Sequence, residues 1–139
     1  MPSPLIQILY KELGYPLLTE KNLAEFLKQE GTVVLFCSED PKRFPEANDV
    51  AVVLPELVNV FAGQFVPAVV DRSLEKTMKS RYDILIWPSL VFLRQGKFLG
   101  KINKIQDWSD YMERIPEILA RDAIHNPGVG IPVVNQPLS

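Results

Sequence analysis

Thiols are almost missing from this sequence: Cys37 is the single cysteine among 139 residues. That excludes an internal disulfide and any multi-cysteine zinc or cluster site, and it suits a reducing compartment. Histidine is as scarce, with His125 alone, which leaves no second imidazole for a metal. Charge of one sign is lacking too. Lys and Arg number 15 against 17 Asp and Glu, a formal net charge of −2, and the basic residues are scattered, so nucleic acid finds no positive face. No apolar run approaches the roughly 20 residues of a membrane span. Met1-Pro2-Ser3-Pro4 has no basic flank and the stretch from Leu5 to Leu9 is too short for a signal-peptide core, which predicts a cytoplasmic chain. A glycine-rich phosphate loop, a spaced Ser-His-Asp set and an internal repeat are all wanting. Neither a cofactor nor a metal is expected, and no enzyme.

What is present suits one folded domain. The 47% hydrophobic content is that of a soluble globular protein, and the length can bury a core without staples. Leu5, Ile8, Leu9 and Leu13 are spaced as one face of a short helix closed by Gly14. Thr19 is placed to cap a second helix that turns Leu23, Phe26 and Leu27 inward and ends at Gly31. The run Thr32 to Cys37 is continuously apolar and rich in β-branched residues, the mark of a strand covered on both faces.

Residues 38–49 are polar with two prolines and read as a loop. Val50, Val53, Leu54, Leu57, Val58 and Phe61 recur at helical spacing, with Pro55 set to kink that helix or to open its regular part. A strand over Phe65–Val70, a helix over Ser73–Tyr82, and strands Ser89–Arg94 and Lys97–Ile102 joined by Gln95-Gly96 follow. A last helix puts Ile105, Trp108, Met112, Ile115 and Leu119 on one side, with Asp107 as cap and Pro116 as a bend. From Arg121 to Ser139 periodicity stops.

This order of elements is that of an α/β, thioredoxin-like fold: a central mixed sheet of four to five strands flanked by helices. Residues 1–120 are the expected domain and 121–139 a flexible C-terminal tail. Trp87-Pro88 stands directly before a strand, where that fold places a cis-proline. An X–Pro bond tolerates cis at only about 0.5–1 kcal/mol, so Pro88 is a structural residue. Thioredoxin chemistry needs two thiols separated by two residues after the central strand. Here Cys37 falls within the strand run, followed by Ser38, Glu39 and Asp40, carboxylates that would raise a nearby thiol pKa. Cys37 reads as a small buried hydrophobe.

The stretch Ser38-Glu39-Asp40-Pro41-Lys42-Arg43-Phe44-Pro45-Glu46 resembles the Ser-x-Asp-Pro-Lys-Arg-x-Pro-Glu region of the HyaE/HupG-type hydrogenase expression proteins. The likeness continues through Pro-Glu-Leu at 55–57, Ala-Val-Val-Asp at 68–71, Trp-Pro-Ser-Leu-Val-Phe at 87–92, Gly100 and Asp107-Trp108, covering roughly residues 15–119. What the resemblance implies is a non-catalytic accessory, chaperone-like role in maturing a nickel–iron hydrogenase. The implied partners are the small-subunit precursor and its twin-arginine leader, with other hydrogenase accessory proteins beside them.

A binder of such a leader needs carboxylates for two guanidinium groups beside an apolar groove. Asp40, Glu46 and Asp49, with Glu39 and Glu56 near the loop's ends, are candidates for the first, and Phe44 with Trp87 for the second. Lys42 and Arg43 could instead pair those carboxylates internally. Two other functions compete: a monothiol oxidoreductase using Cys37, and a scaffold or dimerisation module whose edge at Lys97–Ile102 pairs with another chain.

Overall fold

The computed structural model describes residues 3–122. In chain order the elements are α1 (Pro4–Lys11), β1 (Leu17–Leu18), α2 (Leu23–Leu27), β2 (Thr32–Cys37), α3 (Glu46–Val60), β3 (Val66–Val70), a 3-10 turn (Arg72–Leu74), α4 (Glu75–Tyr82), β4 (Ser89–Arg94), β5 (Lys97–Asn103) and α5 (Trp108–Leu119). The five strands lie in the order β1-β3-β2-β4-β5. β1, β3 and β2 are parallel, while β4 and β5 run antiparallel. This is the thioredoxin-like arrangement that the order of elements predicts, and the Trp87-Pro88 bond is cis.

β2 is buried at every position because helices cover both sheet faces. Its side chains alternate between two cores. Val34 and Phe36 join Leu90 and Phe92 of β4 beneath α1, α3 and α5, whereas Val33, Leu35 and Cys37 meet Met78 and Tyr82 of α4 on the other face. The β4–β5 turn places Gln95 and Gly96 at φ 53° and 80°, the pair of positive values that a tight hairpin requires.

Several sequence expectations are corrected. α1 buries Ile6 and Leu9 while Leu5 and Leu13 are exposed, because the stripe facing α3 is the one that packs. The segment expected as loop to residue 49 is already helical from Glu46, with Pro45 at the cap position and Glu46 and Asp49 in the first turn, where acidic side chains favour the positive helix end. Pro55 lies inside α3 rather than opening it. Thr19 does not cap α2. Its hydroxyl accepts from the Lys21 N–H at 3.2 Å and closes the preceding turn, and the cap position is Asn22. In α5 the inward stripe is Tyr111, Ile115 and Ile118, while Trp108 is exposed. Asp107 holds the cap position without a side-chain cap bond. Of the expected tail, Arg121 donates to the Leu99 carbonyl at 3.3 Å, and residues 123–139, His125 among them, lie outside the described residues.

β5 is an edge strand with protected carbonyls. Those of Leu99, Lys101 and Asn103 accept from Arg121 (3.3 Å), Arg114 (3.5 Å) and the Gln106 amide (2.6 Å). Leu99 is also the extra residue of a bulge, since Phe92 opposes Gly100 and Leu93 opposes Phe98. Both devices blunt an edge and weigh against the strand-pairing scaffold reading. Gly100 is required here. A Cβ on it would come 2.8 Å from Arg121 Nη1 and 3.1 and 3.2 Å from the Ile118 side chain. Arg121 can swing away, but Ile118 is held in the core. Gly100→Ala is expected to cost about 1–3 kcal/mol, as overpacked sites do, and urea unfolding measures it. An unchanged midpoint would mean that α5 shifts freely over β5.

Candidate functional site

The site forms where β2 ends and β4 begins, which the Cys37–Ser89 pairing places side by side. After Ser38 the chain turns through Glu39, whose φ is 56°, and its carboxylate accepts the Asp40 N–H. Asp40 then organises the loop. Its Oδ1 accepts the Lys42 N–H at 3.0 Å, and its carbonyl accepts those of Arg43 (3.0 Å) and Phe44 (2.8 Å). This is the local bonding by which an aspartate makes a turn, and it delivers Phe44 and Pro45 to the start of α3.

Opposite stands the segment before the cis-proline. The Ser89 hydroxyl donates to the Ile86 carbonyl at 2.6 Å and lies 2.8 Å from the Asn103 side-chain amide. The Lys104 N–H donates to the Pro88 carbonyl at 2.6 Å. With its backbone fixed in this way, the segment presents Leu85 at 72% exposure and Ile86 at 46%. Large aliphatics are seldom left so open without a use when they adjoin a concavity. Between the two walls runs a groove of about 320 Å³, lined by Phe44, Pro45, Leu85, Ile86 and Trp87, with Arg43, Glu46 and Lys104 among its polar lining.

The sequence candidates separate on this geometry. Phe44, Glu46 and Trp87 come together in the groove. Glu46 is engaged: Oε1 accepts the Ile105 N–H at 3.1 Å, and Oε2 lies 3.4 Å from Lys104 Nζ. Glu39 faces Arg43 at 3.9 Å, and the Arg43 guanidinium stacks 5.3 Å from the Phe44 ring centre. Asp40 is spent on its turn. Asp49 and Glu56 are exposed on α3 and are not among the groove's lining residues. Sequence reasoning does not single out Leu85, Ile86 or Lys104. The signal available is Ile84-Leu85-Ile86, an aliphatic triplet with no strand to belong to.

Cys37 takes no part in this surface. The thiol has 0% exposure, and burial pushes its pKa well up, with the Glu75 carboxylate adding to the rise. That carboxylate, not Glu39 or Asp40, is the one that acts on it. Glu75 is itself buried, its Oε1 accepting Arg72 Nε at 3.0 Å. Burial raises its carboxyl pKa, against the lowering by Arg72. A neutral, enclosed thiol is a poor nucleophile, which weighs against the monothiol reading. Among the described residues no group of three His, Cys, Asp or Glu could hold a metal ion, and no helix is long and apolar enough to cross a membrane.

The comparisons with known proteins agree with one another. Residues 5–111 match the family described as Hydrogenase-1 expression protein HyaE. The chain is 48% identical over 120 residues to the hydrogenase expression/formation protein HoxO of Azotobacter vinelandii, across 86% of this chain and 80% of the relative. Identity to the HupG protein of Rhizobium leguminosarum bv. viciae is 42% over 126 residues, 88% of this chain and 85% of that one. A crystal structure described as the hydrogenase expression/formation protein HupG of Rhodopseudomonas palustris superposes with a TM-score of 0.54 at 42% identity. It covers 76% of this chain and 95% of the other.

Proposed function

This chain belongs to the HyaE family of hydrogenase expression proteins, and from that premise we propose that it is a non-catalytic, cytoplasmic accessory protein that binds the small-subunit precursor of a nickel–iron hydrogenase before export. Its role in hydrogenase maturation follows from the family. The groove between Phe44 and Trp87 is where the precursor's leader would lie. One observation carries this reading. Where thioredoxins set a thiol pair against the cis-proline, this chain sets the sulfur-free turn from Asp40 to Phe44, and the segment leading into the cis-proline adds an exposed aliphatic wall, Leu85 and Ile86. A surface built that way holds a polypeptide through apolar packing and leaves it chemically unchanged. The leader's apolar run is the matching chemistry, since each well-buried aliphatic side chain contributes about 1.5–3 kcal/mol.

Calorimetric titration with the leader peptide of the host's hydrogenase small-subunit precursor tests it. Wild-type protein is expected to bind. Leu85→Ser and Ile86→Ser are each expected to weaken binding by about tenfold or more, because a hydroxymethyl group buries far less apolar surface than an aliphatic side chain. Absence of heat and of NMR shifts from a folded wild-type protein would rule leader binding out.

A further inference from the structure

The last stretch of the sequence differs in composition from the rest. Charged residues make up 23% of the chain, so seventeen residues of average composition would carry about four, yet residues 123–139 contain no Lys, Arg, Asp or Glu. A segment kept in solvent by its composition is charged and poor in aliphatics. This one holds Ile124, Val129, Ile131, Val133, Val134 and Leu138, three of them within Ile131-Pro132-Val133-Val134. These residues lie beyond the described ones, but the point from which they depart is fixed. The Arg94 guanidinium donates to the Leu119 carbonyl at 2.8 Å and to that of Arg121 at 3.3 Å, which ties the end of α5 to the last residue of β4. The groove adjoins the other end of that strand.

β4 therefore serves as a ruler. The steps from Arg94 to Ser89 cover about 17 Å at about 3.3 Å per residue, and the further residues to Ile86 add at most about 10 Å. An extended chain needs about eight residues for that distance. Counted from Asp122, they bring Ile131-Pro132-Val133-Val134 to the wall of Leu85 and Ile86. We infer that this segment docks in the groove of its own chain, with Ile131 and Val133 against Leu85, Ile86 and Phe44. Residues two apart in an extended chain share a side, and Pro132 between them favours an extended backbone. The contact covers Leu85 and Ile86, otherwise 72% and 46% exposed. An uncharged segment also meets the cations Arg43 and Lys104 without repulsion and needs nothing from Glu46, whose carboxylate is already engaged. Tethering substitutes for strength. Short tethers give an effective concentration of about a millimolar, so a contact with a Kd of that order keeps the groove half covered, and a partner then binds about twofold more weakly. Only this competition rests on the reading that the groove takes the leader's apolar run; docking itself does not.

The test is paramagnetic broadening in the full chain, carrying a nitroxide on Asn135→Cys. Cys37 is enclosed and is left untouched by the reagent in native protein. Backbone amide intensities are read by NMR against the reduced label. Those of Phe44, Leu85 and Ile86 are expected to lose most of their intensity, and those of Arg94 and Gln95, beside the tail's root, much less. With Ile131→Ser and Val133→Ser added, the loss at the groove is expected to fall at least about twofold, because serine buries far less apolar surface. Broadening concentrated at the root, or broadening at the groove that the serines leave unchanged, overturns the contact. Broadening of isotope-labelled copies by spin-labelled copies mixed with them also overturns it, by moving the occupant to a neighbouring chain's tail. Titration with the leader peptide reads the consequence: the serine variant is expected to bind about twofold or more tightly than wild type. Equal affinities overturn the competition. A wild-type protein that binds no peptide overturns leader recognition, while the broadening still decides the tail contact.

Discussion

In native protein Cys37 is expected to react with iodoacetamide at least on the order of 10³-fold more slowly than in denaturant. Attack requires a thiolate, and two conditions for one fail here. The side chain is fully enclosed between β2, α4 and the neighbouring strands. Burial first, then the Glu75 carboxylate, disfavours its ionised form. Reaction must therefore await opening of the fold, which for a domain stable by about 5–15 kcal/mol leaves fewer than about one molecule in 10³ competent at any moment. The measurement is the labelling rate followed by mass spectrometry, with and without denaturant. Comparable rates would expose the thiol and restore single-cysteine chemistry to consideration. Slow labelling combined with an unimpaired Cys37→Ala variant in leader binding would confine sulfur to packing.

Phe92→Ala is expected to destabilise the protein by about 3–5 kcal/mol, the usual cost of emptying an aromatic site in a core. Phe92 is wholly buried at the middle of β4. It pairs with Val34 on one side and Gly100 on the other, and the Phe65 ring meets it edge-on at 5.6 Å. Gly100 has no side chain to move into the space, so the void cannot close from that direction. Against a total stability of about 5–15 kcal/mol the loss is large, and urea unfolding should show it as a much lower midpoint. Val52→Ala, on the open face of α3, should fall within about 0.5 kcal/mol of wild type, as surface changes do. A Phe92→Ala cost below about 1 kcal/mol would mean the core repacks around the vacancy.

The sheet is the most legible part of the sequence. The unbroken apolar run of β2, the Gln95-Gly96 turn and the Trp-Pro opening of β4 each depend on local chemistry, and each stands where the pattern puts it. The helices are less legible where two stripes compete. α1 carries apolar residues on more than one face, and only its packing against α3 selects Ile6 and Leu9. In α5 periodicity sends the exposed Trp108 to the core and passes over Tyr111. Tyr111 is buried because its hydroxyl finds the Gln106 N–H at 3.2 Å, a partner that periodicity does not reveal. At the site, aromatic and acidic residue types mark the right loop, placing Phe44, Glu46 and Trp87 together. Their charges mislead, because Glu39, Asp40 and Glu46 are taken up by side-chain bonds that connect neighbours in space as well as in sequence. Leu85 and Ile86 are invisible to periodicity, since apolar residues in a loop carry no period.

The guarded edge of β5 bears on how such a protein survives its own work. On the function proposed above it would meet unfinished chains, which offer long stretches of unpaired backbone and would add readily to any bare strand. Adding a strand is adhesive and indifferent to sequence, so a helper with an open border would gather up bystanders and hold them. With Arg114, Arg121 and Gln106 already occupying the carbonyls of that border, strand addition at β5 is disfavoured, and the proposed encounter would be left to side chains. On the proposed function, selectivity and release would then both depend on a small patch of shape and charge.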